Sequence, residues 1–224
     1  SEISIETVKE FGINTSVIHS DTTSVSVWGN YEGSDQMAGP TVTYGHSKDY
    51  REDLKQFVFS LLSVEKNIPI LGKTVDGNSS DKTINNGLLN QISSYMAAYR
   101  REDNEFIYVA DSALITPDNL ALMNGLNNPD KLPFISRLPE TYGEAARIKK
   151  EAVSANQWHR LGPLAQGKPT KNRPHALYKS YEATITIDDR LYRAIVIHSN
   201  NLDKRRQKKI DRLIQNDQDR CTKI

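Results

Sequence analysis

The sequence predicts a mixed α/β fold, with one sheet that begins antiparallel, continues parallel and is flanked by helices. Two patterns lead to this prediction. Residues 1–80 contain β-rich runs separated by turn residues, which is typical of antiparallel strands. From residue 81 onward, stretches with helical spacing alternate with short apolar runs, and this βαβα order produces parallel strands. Ligands in such sheets bind at strand ends near a topological switch point, so functional side chains are expected there.

Four strands are predicted in the antiparallel part. Residues 17–28 are rich in Val, Ser and Thr, and residues 41–46 (TVTYGH) alternate after a turn that contains Gly and Pro. Residues 54–64 (LKQFVFSLLSV) suit a strand or a helix by their period alone. We interpret them as a strand because Phe and Val favour β structure. Residues 68–75 (IPILGKTV) complete the set.

Helices and strands are predicted to alternate after this point. Ser80 or Asp81 can cap the first helix, and the apolar strand EFIYVAD follows it. Thr116 provides the N-cap of the second helix and Pro117 its first position. The strand LPFISRLP then leads to a third helix over residues 141–154, which begins with Thr and has Glu three residues later, a capping box.

The last part of the chain has a different composition. Residues 152–181 contain no acidic residue but several Lys, Arg, Gly and Pro, which is typical of a basic irregular loop. A hairpin follows, with Asp188 and Asp189 as its turn, and then a basic helix. We therefore predict a first domain over residues 1–154 and a basic region over residues 155–224.

Composition excludes several classes of protein. No run of about 18 apolar residues occurs, so the sequence predicts no membrane-spanning helix. Cys221 is the single cysteine, which excludes an intramolecular disulfide and fits a reducing, cytoplasmic compartment. The first residue is Ser1 and no signal-peptide pattern follows, so we expect a fragment or processed chain that lacks an N-terminal domain.

Two aspartates lie inside or at the end of apolar, β-rich runs. Asp21 lies within TSVIHSDTTSVSVWG, where Thr22 and Thr23 are expected to support it, and Asp111 ends EFIYVAD. A buried carboxylate is costly unless something compensates it. If the two strands are neighbours, the pair can share a divalent cation, and oxygen ligands suit Mg²⁺ or Mn²⁺. Alternatively, Asp21 caps a turn and Asp111 caps the following helix.

A two-metal site normally needs a further carboxylate. The nearest candidates are Glu140, Glu144, Asp188 and Asp189, and none has a sequence context that favours metal binding. The five histidines show no metal-ligand spacing, and no phosphate-binding or nucleophile-elbow motif occurs.

Charge is divided unevenly along the chain. Residues 1–140 carry 11 Lys and Arg against 19 Asp and Glu, whereas residues 141–224 carry 18 against 9. Such asymmetry favours nucleic-acid contact through the basic half, although a solvated surface is the alternative. Lys and Arg neutralise phosphates without reading the base sequence. The predicted DNA-binding residues are Lys168, Lys171, Arg173, Lys204, Arg205, Arg206, Lys208 and Lys209.

Several segments together resemble the DDE transposases of bacterial insertion sequences, in the branch whose ribonuclease H-like core carries a β-rich insertion. The matching segments are HSDTTSVSVWGNYE, TYGHSKDYREDLKQF, PILGKTVDGNSSDKT, YVADSALIT, FISRLPET and RAIVIHSNNLDKRR. The resemblance implies a ribonuclease H-like mixed sheet flanked by helices, with the insertion domain starting near residue 155. It also implies that Asp21 and Asp111 are the first two catalytic, metal-binding acids.

The resemblance further implies metal-dependent DNA strand cleavage and strand transfer during transposition. Mg²⁺ or Mn²⁺ would be the cofactor, transposon ends and target DNA the partners, and the complete form would be a homo-oligomer. The family's third acid is a Glu in a Tyr-x2-Arg-x3-Glu pattern, and no Tyr of this chain is followed in that way. A core truncated before this Glu is therefore implied. The alternative is a non-catalytic remnant that binds DNA or an intact transposase.

Overall fold

The computed structural model describes residues 2–31, 39–47, 49–97, 106–125, 131–170 and 174–221. The chain divides into two compact units, residues 1–139 and 140–224, and each unit has its own sheet. No helix in the part of the chain that the structure describes is long and apolar enough to cross a membrane.

The first unit is built on a mixed five-stranded sheet. Its elements are α1 (Glu2–Glu10), β1 (Val17–Val27), β2 (Lys55–Val64), β3 (Ile68–Val75), α2 (Asp81–Ala97), β4 (Ile107–Ala110), α3 (Pro117–Met123) and β5 (Phe134–Ser136). The strand order is β3-β2-β1-β4-β5. β1, β2 and β3 pair antiparallel, whereas β4 is parallel to β1 and β5. The predicted fold class, a mixed sheet flanked by helices, is confirmed.

The core of this unit lies on the sheet face that α2 covers. Hydrogen bonds join that face to α2: Thr22 donates to Asp81, and Tyr108 donates to Asn85. Strand alternation places every second residue of β2 on this face, from Gln56 to Val64. The large side chains that are almost fully buried in this unit include Tyr108, Ile18, Leu62, Ile92, Leu114 and Val64.

Residues 41–46 do not form the predicted strand. Thr43 makes an isolated bridge to Gln56, and no ladder continues from it. Gly45 then packs so closely on Gly77 that a Cβ at position 45 would lie 2.0 Å from the Gly77 carbonyl oxygen. The segment is therefore held by backbone hydrogen bonds of Thr43 with Gln56 and of Thr41 with Gly77, and by the close approach of Gly45 to Gly77, which the alternation of Thr, Val and Tyr does not signal. Helix α1 was not predicted either.

The second unit consists of a three-stranded antiparallel sheet and two helices. Its elements are α4 (Gly143–Ala155), β6 (His159–Pro163), β7 (Leu177–Ile187), β8 (Arg190–Ser199) and α5 (Asn200–Cys221), with strand order β6-β7-β8. The predicted hairpin is confirmed, and both turn residues, Asp188 and Asp189, have the positive φ angles of a tight hairpin turn. Strand β6 was not predicted, because its Gly and Pro suggested a loop.

Helix α4 belongs to the compact unit that starts at residue 140, where it packs on β7 and β8. The predicted domain boundary at residue 154 stays a prediction, and the structural units divide before it. The predicted capping box of this helix is wrong. Tyr142 is the N-cap residue and makes no side-chain capping bond, while Glu144 pairs with Arg147 along the helix.

Candidate active site

Asp21 and Asp111 come side by side where β4 ends. His19 of β1 pairs with Val109 of β4 in a parallel ladder. Asp21 lies two residues after His19, and Asp111 lies two residues after Val109. The same register therefore places the two aspartates opposite each other. Residues two apart on a strand share a face, and neighbouring strands lie about 4.8 Å apart. The pair is therefore within reach of one bound cation.

Both carboxylates are exposed, because they lie on the sheet face opposite the core. The burial cost that the apolar runs suggested therefore does not arise. Asp21 Oδ1 accepts the N–H of Thr22 at 2.8 Å, and Asp111 Oδ1 accepts the N–H of Ala113 at 3.0 Å. The second oxygen of each carboxylate accepts no hydrogen bond from a described residue. Two adjacent carboxylates, each with an oxygen available, fit a hard divalent cation.

The capping alternative is present in part. Asp111 is the N-cap of a short 3-10 turn, Ser112–Leu114, through its bond to Ala113. Helix α3 has its own cap, Thr116, which accepts the N–H of Asn119 at 3.2 Å. Capping occupies one oxygen of Asp111 and orients the carboxylate, so it is compatible with metal binding.

Thr22 does not support Asp21 through its side chain. Its hydroxyl lies on the buried face and donates to Asp81 of α2 at 2.6 Å. This bond ties β1, at the residue next to Asp21, to the start of α2. Thr22 thus fixes the strand that carries the carboxylate, and its backbone N–H alone touches the carboxylate.

A buried asparagine holds the turn that follows Asp111. Asn119 is 1% exposed, and its Nδ2 donates to the carbonyl oxygen of Leu114 at 3.1 Å. Its Oδ1 accepts from Asn86 of α2 at 3.1 Å. The turn is therefore anchored from its buried side by α2 and α3. Sequence analysis missed this role, because an Asn inside a helix gives no sign of which carbonyl it meets.

Tyr108 lies in β4, two residues before Ala110, the last residue of that strand. Its side chain is fully buried beneath the aspartate pair. Its hydroxyl donates to Asn85 Oδ1 at 3.2 Å. Burial raises the pKa of Tyr108 to about 12, and the negative charge of Asp111 contributes to the rise. The phenol therefore stays neutral and keeps its hydrogen bond at any ordinary pH.

Three polar residues that the sequence analysis did not single out lie around Asp111: Ser136 of β5, Arg137 directly after it, and Ser112 in the turn after β4. Ser136 of β5 donates from its hydroxyl to the carbonyl oxygen of Asp111 at 2.7 Å. Arg137 donates from Nη2 to the hydroxyl oxygen of Ser112 at 3.2 Å. These contacts depend on β5 lying next to β4, which the residues alone do not reveal.

The structure brings no third carboxylate to the pair within the residues it describes. No group of three or more His, Cys, Asp and Glu suited to a metal ion occurs among them. All four candidates belong to the second unit, where Glu140 pairs with Lys149, Glu144 pairs with Arg147, and the two aspartates form the hairpin turn.

The predicted DNA-binding residues lie in the second unit where they are described. Lys168 is exposed in the segment between β6 and β7, and Lys171 and Arg173 lie outside the described residues. The basic residues of α5 between positions 204 and 212 are all exposed, and none of these forms an ion pair with a described residue. They are Lys204, Arg205, Arg206, Lys208, Lys209 and Arg212. At 100° per residue, all except Arg206 fall on one side of the helix.

Comparison with known proteins yields little. No family model matches the chain, and no curated protein matches it. Among solved structures it is similar to a Mos1 transposase paired-end complex with left transposon end, with a TM-score of 0.35 and 8% identity over 70% of this chain. The match covers 52% of the transposase chain, so this chain spans about half of that length. A likeness of this size is too distant to bear on function.

Proposed function

We propose that this chain carries the core of a DDE-type DNA transposase of the bacterial insertion-sequence class. In this proposal Asp21 and Asp111 hold Mg²⁺ or Mn²⁺, and the phosphodiester backbone of transposon ends and target DNA is the substrate. The observation that carries it is the β1–β4 register, which aligns the two aspartates on one exposed face. The sequence segments that resemble such transposases include both of these residues.

A bound divalent ion at this site would polarise a phosphodiester and activate a water or a 3′-hydroxyl for in-line attack. The chain's own contribution is to position ligands. The parallel register sets the spacing between Asp21 and Asp111, and the Ala113 N–H orients the second carboxylate. Tyr108 and Asn119 hold the strand end and the turn from below.

The basic helix α5 supports the DNA part of the proposal. Its exposed Lys and Arg residues are unpaired within the described chain, so they retain their charge for phosphates. The proposal extends to a cytoplasmic protein whose complete form acts as a homo-oligomer on DNA.

The experiment that tests the metal site is Mn²⁺ titration by calorimetry on the wild type, Asp21→Asn and Asp111→Asn. We expect binding by the wild type and at least about 100-fold weaker binding by both variants, since each removes a charged ligand. Asp49→Asn is a matched control, because it removes an exposed carboxylate of the same unit elsewhere. Equal binding by all four proteins, or none by the wild type, would contradict the proposal.

A second candidate function is a non-catalytic remnant that binds DNA or an intact transposase. The absence of a third acidic ligand among the described residues favours it. Nicking of a supercoiled plasmid in Mn²⁺ separates the two candidates. Nicking that disappears in Asp21→Asn supports the transposase core, whereas salt-dependent DNA binding with no Asp21-dependent nicking supports the remnant.

A further inference from the structure

Arg137 lies in line with the two aspartates. It directly follows Ser136, which pairs with the last residue of β4. The middle of β1 and the ends of β4 and β5 thus present Asp21, Asp111 and Arg137 in a row. Two strand spacings place the backbone of Arg137 about 10 Å from that of Asp21. The row combines two carboxylates with one cation on three neighbouring strands.

Arg137 is held differently from those arginines of the described chain that pair with carboxylates. Arg51 binds both oxygens of Asp53, Arg147 both oxygens of Glu144 and Arg193 both oxygens of Glu182. Arg137 is exposed and forms no ion pair within the part of the chain that the structure describes. Its partner is the neutral hydroxyl of Ser112. It therefore keeps its full charge and most of its five N–H donors for another ligand.

We infer that Arg137 binds a phosphate of the nucleic-acid strand that crosses Asp21 and Asp111. A phosphate that approaches two carboxylates is repelled, and a guanidinium in the same row offsets that repulsion. The planar fork of Arg matches two non-bridging phosphate oxygens. This inference rests on the proposed function, since both need a nucleic-acid strand at the aspartate pair.

The local hydrogen bonds hold Arg137 in place for this role. The Ser112 hydroxyl receives one N–H of the guanidinium, and Ser136 ties the end of β5 to the carbonyl of Asp111. A long side chain that is already partly fixed loses less freedom when it binds a phosphate. The competing role for Arg137 is purely internal: it would only relieve the mutual repulsion of the aspartate pair.

The two roles are separated by measuring DNA and metal binding on the same variants. Fluorescence anisotropy would follow a labelled blunt DNA duplex over a range of salt, with Ca²⁺ present to prevent cleavage, and calorimetry would follow Mn²⁺. The variants are Arg137→Gln and Arg137→Lys. Lys131→Gln is the matched control, because it removes one exposed positive charge just before β5, at the opposite end of that strand.

For a phosphate contact we expect Arg137→Gln to weaken DNA binding about tenfold and to lower the slope of log affinity against log salt by about one. Arg137→Lys should keep the slope but lose part of the affinity, because it keeps the charge without the fork. Mn²⁺ affinity should not fall in either variant. The Lys131→Gln protein should match the wild type in both measurements.

Other results overturn the inference. Unchanged DNA affinity and salt slope in Arg137→Gln, with Mn²⁺ binding intact, would leave the proposed function standing and assign Arg137 the internal role. Loss of Mn²⁺ binding in Arg137→Gln would show that Arg137 instead maintains the turn that carries Asp111. A wild type that binds neither Mn²⁺ nor the duplex would refute the proposed function and the inference together.

Discussion

The neighbouring strands that carry Asp21 and Asp111 and the helix α5 both present charged side chains, but they are organised in opposite ways. The two aspartates are set by one strand register and supported by buried groups such as Tyr108 and Asn119. In α5, by contrast, the side chains of residues 201–219 are all exposed. The function of the aspartate pair therefore depends on where its side chains lie, whereas the function of α5 depends on how many charges it carries.

This difference has energetic consequences. A carboxylate pair works as a ligand set only at the right spacing, so substitutions that disturb the sheet beneath it should have large and local effects. Exposed charges interact through water, and each contributes a small, salt-dependent amount. Substitutions in the first unit should therefore act through packing, and those in α5 should act through charge alone.

The largest expected effect comes from Gly77→Ala in the first unit. A Cβ at position 77 would lie 1.9 Å from the Gln56 carbonyl oxygen and 2.7 Å from that of Thr43. Both atoms are backbone and cannot move without disturbing β2 or the Thr43 bridge to it. We expect this change to lower the free energy of unfolding by at least about 3 kcal/mol, measured by urea denaturation.

Gly87→Ala is the matched control for that experiment. Gly87 lies inside α2, and a Cβ there would meet nothing within 4 Å. Alanine is the better helix former, so this change should raise the free energy of unfolding by up to about 1 kcal/mol. If Gly77→Ala does not lower the free energy of unfolding relative to Gly87→Ala, close backbone packing is not what holds the first unit in shape.

The strands were more accessible from the sequence than their pairing or the contacts around the site. The β-rich run around Asp21 and the apolar run before Asp111 identify two strands, but that these strands are parallel neighbours was only a condition of the metal-site hypothesis, which the structure meets. The exposure of both carboxylates was not predictable, because an apolar run does not reveal which face is covered. Arg137 was missed because its position depends on β5 pairing with β4.

Errors occurred where the chain departs from regular pairing. Residues 41–46 alternate as a strand does, yet they are held by an isolated bridge to Gln56, a hydrogen bond from Gly77 and the close approach of Gly45 to Gly77. Strand β6 contains a bulge and a glycine with positive φ, Gly162, so its sequence has the composition of a loop. Local pattern predicts regular elements well, and it fails where long-range contacts replace a hydrogen-bonded ladder.

A smaller effect is expected from pH at Tyr108. Its pKa is raised to about 12, from 10.0 in the unfolded chain. The stabilisation by neutral Tyr108 is fully present below about pH 10 and is lost as the pH rises towards 12, because only the unfolded state ionises in that window. The loss should approach roughly 3 kcal/mol at the upper end.

The measurement is urea unfolding across this pH range on the wild type and on Tyr108→Phe. The variant should be less stable at neutral pH, because Asn85 loses its donor, but its stability should fall less between about pH 10 and 12. Tyr44→Phe is the control, because Tyr44 is exposed. A wild-type curve parallel to that of Tyr108→Phe would mean that the phenol is not held neutral by burial.

The smallest effects are expected from single charges on α5. Lys204, Lys208 and Arg212 are spaced four residues apart, so they form a row with about 6 Å between neighbours along the helix axis. Each neutralises at most one phosphate. Replacing Lys204 or Lys208 by Gln should therefore lower the slope of log DNA affinity against log salt by about 0.9, and the double variant by about twice that.

This additivity is what distinguishes α5 from the aspartate pair, where loss of either partner removes the ligand set. Protein stability should change by less than about 0.5 kcal/mol in each lysine variant, because both side chains are exposed and unpaired within the described chain. Lys82→Gln, an exposed charge of α2, should leave the slope unchanged. A single α5 substitution that abolished DNA binding would show that α5 also depends on a fixed arrangement of side chains. The contrast between α5 and the aspartate pair would then fail.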